Sequence, residues 1–391
     1  MPAAPRHLAC AVPDPVWFWQ RIVSPHMAGL AAALAAAGRD VTYVAEQEMS
    51  ADRAAQGWQV PPLGAARLRF APTSDAVREA VREAPEDSIH ICQGLRANGL
   101  VGVAQRTLAE RGIRQWVIME TVDDSGWRGA LKRLEYRRLI RQWRPRIEGV
   151  LATGHATPGW LAGRGIPADR VFPFAYFLPD RPQPIAQRFE PQAPFRFLFV
   201  GRFIELKRID LLIDALGRLG GANFELVLAG SGPLEAALRT LAEKKLPGRV
   251  DWLGRRPIGE IPALMAEADC LVLPSRNDGW GAVVSEALMA GTPAICSDAC
   301  GAAGIAQASG VGGVFPAGNV EALAALLRQV IARGRQTPEG RATLANWACC
   351  LDATAGAKYL EEILLHKTDM TATARPALPW AGIANTAKIC R

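Results

Sequence analysis

The stretch that most limits what this chain can become runs from Ala268 to Asp298, A-D-C-L-V-L-P-S-R-N-D-G-W-G-A-V-V-S-E-A-L-M-A-G-T-P-A-I-C-S-D. An apolar run, Cys270 to Leu273, stops at Pro-Ser, and a polar loop carrying Asp278 and Gly279 follows. A helical pattern from about Ala282 to Ala290 then stops at Gly291-Thr292-Pro293 before a second apolar run. Strand, loop, helix, strand in this order is a βαβ unit, the building block of a parallel sheet. In such units ligands collect where strand C-ends meet helix N-ends, because unpaired backbone N–H groups and the helix dipole converge there on negative charge. The loop Asp278-Gly279-Trp280-Gly281 lies at that point, and its two glycines permit positive φ and close approach to the backbone. Glu286 falls eight residues after Asp278, inside an otherwise apolar helix where an unpaired carboxylate is costly.

With 391 residues the chain is expected to form two domains, at about one per 150 residues. H-L-A-C-A-V at the start reads as a first strand, followed by a loop from Pro13 to Pro25 that holds Trp17, Phe18 and Trp19. A helix from about His26 to Ala37 and a strand at Val41 to Ala45 complete a Rossmann-like opening, but no G-x-G-x-x-G is present, so a dinucleotide is not expected. Strands at Ser88 to Cys92, Gln115 to Met119 and Gly149 to Gly154 follow, with a helix near Leu100 to Arg111. After Met119 come Glu120, Asp123 and Asp124, a polar cluster at a strand's C-end of the kind that marks a site; helix capping is the competing reading for the two aspartates. His155, at the next strand end, is either cleft-facing or hydrogen-bonded structure.

Leu178 to Pro194, with five prolines, reads as an interdomain linker. Beyond it strands and helices alternate again, from the strand Phe195 to Val200, which runs into G-R-F-I-E-L-K-R. From His366 periodicity is lost, as in a mobile tail. Eight cysteines form no C-x-x-C pair, so buried free thiols are expected rather than a zinc site or disulfide frame, and no metal is expected.

An acid, seven residues and Glu, framed by P-S-x-x-D-G-W-G and E-A-L-M-A-G-T-P, resembles the E-x7-E motif of retaining glycosyltransferases with the GT-B fold, family 4 in particular. The resemblance covers about Phe195 to Ala332 by motif and the first half more loosely, by architecture. It implies an α/β chain of two Rossmann-like domains with parallel sheets facing across a cleft: residues 1–180 on the acceptor side, 181–194 as linker, 195–365 holding the nucleotide sugar, and 366–391 as tail. It also implies that Asp278 binds donor-sugar hydroxyls, that Glu286 binds the ribose, and that Gly279, Trp280, Gly281 and Ala282 complete the donor site. G-R-x-x-x-x-K is similar to the family segment whose Arg and Lys, here Arg202 and Lys207, bind the donor diphosphate. Two fixed cations there offset charge growing on the departing group, whereas against a helix N-terminus without a ligand they are poorly placed.

The departures are specific. Asp278 is one methylene shorter than the family's Glu, and Arg208 stands where the family has Gly. Trp17-Phe18-Trp19 replaces a glycine pair, which suggests a loop facing an acceptor or a lipid, or else aromatics capping the core. Glu120 stands near where many members place a histidine, and is the first candidate to take the acceptor's proton. Arg255 and Arg256 border the expected site of the base. The implied activity is transfer of a hexosyl-type sugar from a nucleotide sugar to a glycan or lipid-linked acceptor, without a cofactor. A sugar-nucleotide epimerase or a non-catalytic binding protein on the same fold are the alternatives.

Charge is unevenly placed. Arg128 to Arg146 carries eight Lys or Arg against one Glu, a net +7 that equals the excess of the whole chain, so the balanced remainder argues against a nucleic-acid binder. Trp127, Leu131, Leu134, Leu139, Ile140, Trp143 and Ile147 recur at mostly three- and four-residue steps, which predicts a helix with an apolar side and a basic remainder. Such a helix suits an anionic membrane surface, giving peripheral contact through residues 127–147. No apolar run reaches the roughly 20 residues of a membrane-spanning helix, and a cytoplasmic protein, either free or at the inner membrane's cytoplasmic face, is the expectation.

Overall fold

Runs of β-branched and aromatic residues bounded by Pro and Gly form the strands, and they pair into two separate parallel sheets. The computed structural model describes residues 14–50, 59–179, 193–368 and 374–381. The first sheet contains β1 (Val16–Ile22), β2 (Val41–Gln47), β3 (Arg67–Phe70), β4 (Ile89–Gln93), β5 (Gln115–Glu120), β6 (Ile147–Thr153) and β7 (Val171–Phe174), in the order β3-β2-β1-β4-β5-β6-β7. The second contains β8 (Phe195–Val200), β9 (Phe224–Ala229), β10 (Val250–Gly254), β11 (Cys270–Leu273), β12 (Ala294–Ser297) and β13 (Gly312–Phe315), in the order β10-β9-β8-β11-β12-β13. Each sheet reverses its winding once, at β1/β4 and at β8/β11, and in open α/β sheets ligands collect at the strand C-ends beside such a reversal.

β1 corrects the expectation for the first domain. His7 to Val12, expected as the first strand, lies outside the described residues. The supposed loop is the central strand V-W-F-W-Q-R-I, parallel to β2 from Val16 opposite Val41 and to β4 from Val16 opposite Ile89. Trp17, Phe18 and Trp19 are buried on alternate faces: Trp17 and Trp19 stack 6.0 Å apart, Phe18 packs 6.3 Å from Tyr43, and the Trp19 Nε1–H donates to His90 Nδ1 at 3.0 Å. A continuous apolar run between prolines is what a strand covered on both faces requires, so these rings form core and do not face an acceptor. β3, β7 and the helix Ser74–Glu83 were not expected. β7 carries Pro173, which an edge strand tolerates because the missing N–H faces no ladder.

The chain crosses between the domains twice, and the two crossings touch. Leu178 donates to Leu351 O at 2.9 Å and Ala353 donates to Leu178 O at 2.8 Å. Beyond this point the helix Ala353–Thr368 packs against the first domain's helix Pro25–Ala36. Arg39 forms a bidentate ion pair with Glu361, and Tyr359 Oη donates to Pro173 O at 3.1 Å. Residues 374–381, expected in a mobile tail, include Arg375, whose guanidinium donates to Ala168 O and lies 4.8 Å over the Phe172 ring.

Candidate functional site

The two loops bordering the second sheet's winding reversal carry the sequence's charged candidates. After β8 the chain runs through Gly201 and Arg202 to a short turn, Glu205–Lys207, and then to Arg208 at φ 50° in the left-handed region. Glycine adopts that conformation without the Cβ penalty, which explains the family's Gly; here Arg208 accepts it while pairing with Asp210. Arg202 is exposed, and among the described residues its guanidinium has no hydrogen-bond or ion-pair partner. Lys207 is half-buried and its ammonium pairs with the Asp278 carboxylate.

Asp278 belongs to the loop after β11. Its N–H donates to Ala299 O at 3.1 Å and its carbonyl accepts from Gly301 N at 2.9 Å, which ties it to the loop after β12. Its Oδ2 also accepts from Ser275 Oγ at 3.2 Å. Gly281 caps the helix Ala282–Met289 at φ 82°, and a Cβ there would stand 2.6 Å from Cys300 Sγ, so both the turn and the packing require glycine. Trp280 is withdrawn into the second domain, with Nε1 donating to Ser285 Oγ at 3.2 Å and its ring edge-on to Tyr176. At that position the backbone, and not the indole, is left to face the cleft. Ala282, Val283 and Glu286 are the helix's half-buried positions, and Ala282 and Glu286 share a face one turn apart. The first-turn amides that lack helical partners lie at this end.

Across the cleft, β5 ends in Glu120, whose carboxylate lies against Gly279 so closely that a Cβ on Gly279 would overlap it. Gly279 and Glu120 are thus brought together, although they are 159 positions apart. The aspartates behind Glu120 serve local structure. Asp123 accepts from Ser125 N at 3.0 Å and Oγ at 2.6 Å, and the hydroxyl bond, followed by the backbone bond, holds its carboxyl below the ordinary value. Asp124 pairs with Arg164 and accepts from Trp160 Nε1 at 3.1 Å, with Arg164 stacked 3.7 Å over the same indole. The N–H of His155 donates to Gly301 O at 2.8 Å, and its backbone helps to join the two domains at the cleft floor. Arg256 pairs with Glu260 beyond the edge strand β10.

A cavity of about 500 Å³ opens between the domains, lined by Asp123 and Arg133 on one side and by Arg276, Asp278 and Gly301 on the other. Sequence reasoning missed Ser275 and Arg276 as site residues; a Ser directly after a strand-ending Pro and three before the acid was the available signal. Among the described residues no group of three His, Cys, Asp or Glu is placed to hold a metal ion.

A family model described as glycosyl transferases group 1 matches residues 180–344, the segment that contains both charged loops. Over this segment the chain is similar to the group 1 glycosyltransferases. Its fold is GT-B: the chain resembles HepE of Anabaena, solved in complex with UDP, with a TM-score of 0.68 and 17% identity over 90% of this chain and 99% of that one. It also resembles the lipopolysaccharide outer core galactosyltransferase WaaB, with a TM-score of 0.69 and 16% identity over 90% of this chain and 99% of that one. The amylovoran biosynthesis glycosyltransferase AmsK of Erwinia amylovora is 34% identical over 144 residues, 34% of this chain and 35% of that protein. The chain spans about a third of the length of the curated relatives it matches.

Proposed function

We propose that this chain transfers a hexosyl-type sugar, with retention at the anomeric carbon as in family 4, from a nucleotide sugar to a glycan or lipid-linked acceptor in surface polysaccharide or glycolipid synthesis. The observation that carries the reading is the convergence of Arg202, Lys207, Asp278 and the N-terminal end of the Ala282–Met289 helix around one winding reversal, with Glu120 facing them across the cleft. Arg202, Lys207 and the amides from Gly279 to Ala282 stabilise the leaving diphosphate, because fixed donors aimed at developing charge need no reorganisation at the moment of reaction. Asp278 holds the sugar, Glu286 the ribose, and Glu120 accepts the acceptor's proton. The acceptor enters on the leaving-group face, in a route assisted by the departing phosphate. The relatives in amylovoran and lipopolysaccharide synthesis and the UDP complex of HepE support the substrate classes.

The exposed side of the Gly126–Trp143 helix supports peripheral membrane contact at a cytoplasmic face, and the apolar stripe read from sequence divides there. Trp127, Leu131 and Leu134, at steps of four and three, are 76%, 66% and 66% exposed. Ile140 is buried, and the helix ends before Ile147, which belongs to β6. An apolar ridge beside Arg137, Arg138 and Arg141 complements an anionic lipid surface in both polarity and charge. No described helix is long and apolar enough to cross a membrane.

The test of the transfer reading is turnover of a panel of UDP-, GDP- and ADP-sugars, with and without cell-surface glycolipid acceptors, and NMR of the product's anomeric configuration. Acceptor-dependent release of nucleoside diphosphate with an unchanged anomer is expected. Conversion of the sugar nucleotide without any acceptor would assign an epimerase instead, and binding without turnover would assign a binding protein.

A further inference from the structure

The Lys207–Asp278 pair joins two residues to which the motifs assign separate jobs. Both are half-buried, at 20% and 16% side-chain exposure, and the carboxylate's Oδ2 receives both the Lys207 ammonium and the Ser275 hydroxyl, whereas Oδ1 receives no hydrogen bond among the described residues. Asp278 is itself immobilised, because its N–H and C=O bond the loop after β12. A second tie joins the two charged loops, where the Arg276 N–H donates to Leu206 O at 2.8 Å. A lysine ammonium is a compact charge on a flexible four-carbon stem, and its binding strength toward a diphosphate depends on how much freedom remains to be lost. Arg202, in the same segment, has no such anchor among the described residues.

From this geometry we infer that Asp278 is a positioning residue for diphosphate recognition: it acts through Lys207, with Ser275 completing the anchor, in addition to any contact of Oδ1 with the sugar. This rests on the donor-site reading above and deepens it. The shorter acid is part of the device. With the loop backbone pinned at residue 278, a side chain one methylene longer than aspartate would move its carboxylate off the point where Ser275 and Lys207 meet.

The experiment is calorimetric titration of the full chain with UDP, GDP and ADP, which carry a diphosphate and no sugar, on wild type, Asp278→Asn, Lys207→Met and the double variant, with Ser275→Ala as a milder perturbation of the same anchor. Asp278→Asn should weaken the best-bound nucleoside diphosphate about tenfold although no sugar is present, and Ser275→Ala by less. In the Lys207→Met background the same Asp278→Asn change should add less than about twofold, because the group through which it acts is gone. This non-additivity distinguishes positioning from a general loss of structure, which would persist in both backgrounds. Unchanged or tighter binding by Asp278→Asn, or losses that simply add, overturns the inference and leaves the donor site standing. A wild type that binds none of the three overturns the donor-site reading and the inference with it.

Discussion

Arg202 and Lys207 are five positions apart in one motif, and the fold gives them different surroundings. Lys207 is locked to a carboxylate, whereas the Arg202 guanidinium is exposed and has no partner among the described residues. Arg202→Ala is therefore expected to leave stability within about 0.5 kcal/mol of wild type and to lower kcat roughly 100-fold or more. Near-normal turnover in the folded variant removes Arg202 from the diphosphate site. His90 provides a prediction at the same scale for stability. It is fully buried and accepts from Trp19, and burial, with Arg111's charge as the smaller cause, lowers its pKa from 6.5 to about 3. Because the folded value lies below the unfolded one, the unfolded chain takes up the proton first. The ring's contribution is complete above about pH 6.5 and is lost as pH falls toward about 3, by about 1.4 kcal/mol per pH unit. His90→Gln should flatten the fall of urea-unfolding free energy between about pH 6 and pH 4. Equal slopes in the two proteins would sink this assignment.

At the scale of elements, the Gly126–Trp143 helix was expected to have one apolar side, but tertiary packing divided the stripe. Tyr136 and Ile140 are buried against the first domain, while Trp127, Leu131 and Leu134 remain exposed. Two of its cations are engaged as well, since Lys132 and Arg133 donate to the carbonyls of Asp123 and Asp124, which the cavity borders. The variant that isolates surface charge is therefore Arg137→Glu with Arg138→Glu and Arg141→Glu. Wild type should sediment with anionic liposomes at low salt and release as salt rises, and the triple variant should lose most of that binding. Indifference of the wild type to anionic lipid would favour a soluble acceptor.

At the scale of the whole molecule, the C-terminal helix makes the first domain's stability depend on residues far along the chain. Arg39 is almost fully buried, at 7% side-chain exposure, and its carboxylate partner Glu361 comes from the helix Ala353–Thr368. Removing one member of a buried pair leaves an uncompensated charge, so Glu361→Ala is expected to destabilise by about 3 kcal/mol. Tryptophan fluorescence, to which the buried Trp17, Trp19 and Trp116 of the first domain contribute, can follow that transition during urea unfolding. A change below about 0.5 kcal/mol, the usual range for a surface substitution, would mean that the returning helix does not support the first domain through this pair.

What the sequence by itself determined is concentrated in the second domain. There the βαβ order, the loop from Asp278 to Gly281 and the Arg202–Lys207 segment were legible, because strand-end loops and helix starts are specified by local chemistry: Pro and Gly stops, apolar period, and charge at a helix N-terminus. Only the tertiary structure decided the rest. V-W-F-W-Q-R-I was read as a loop because a strand buried on both faces shows no alternation to identify it. Asp123 and Asp124 could not be told from Glu120 until Ser125, Arg164 and Trp160 took up the first two and Gly279 met the third. The Lys207–Asp278 pair is a contact between residues 71 positions apart, and no local preference reports it. Neighbouring strands β8 and β11 bring these two loops together, and that adjacency is a property of the sheet order, not of either segment.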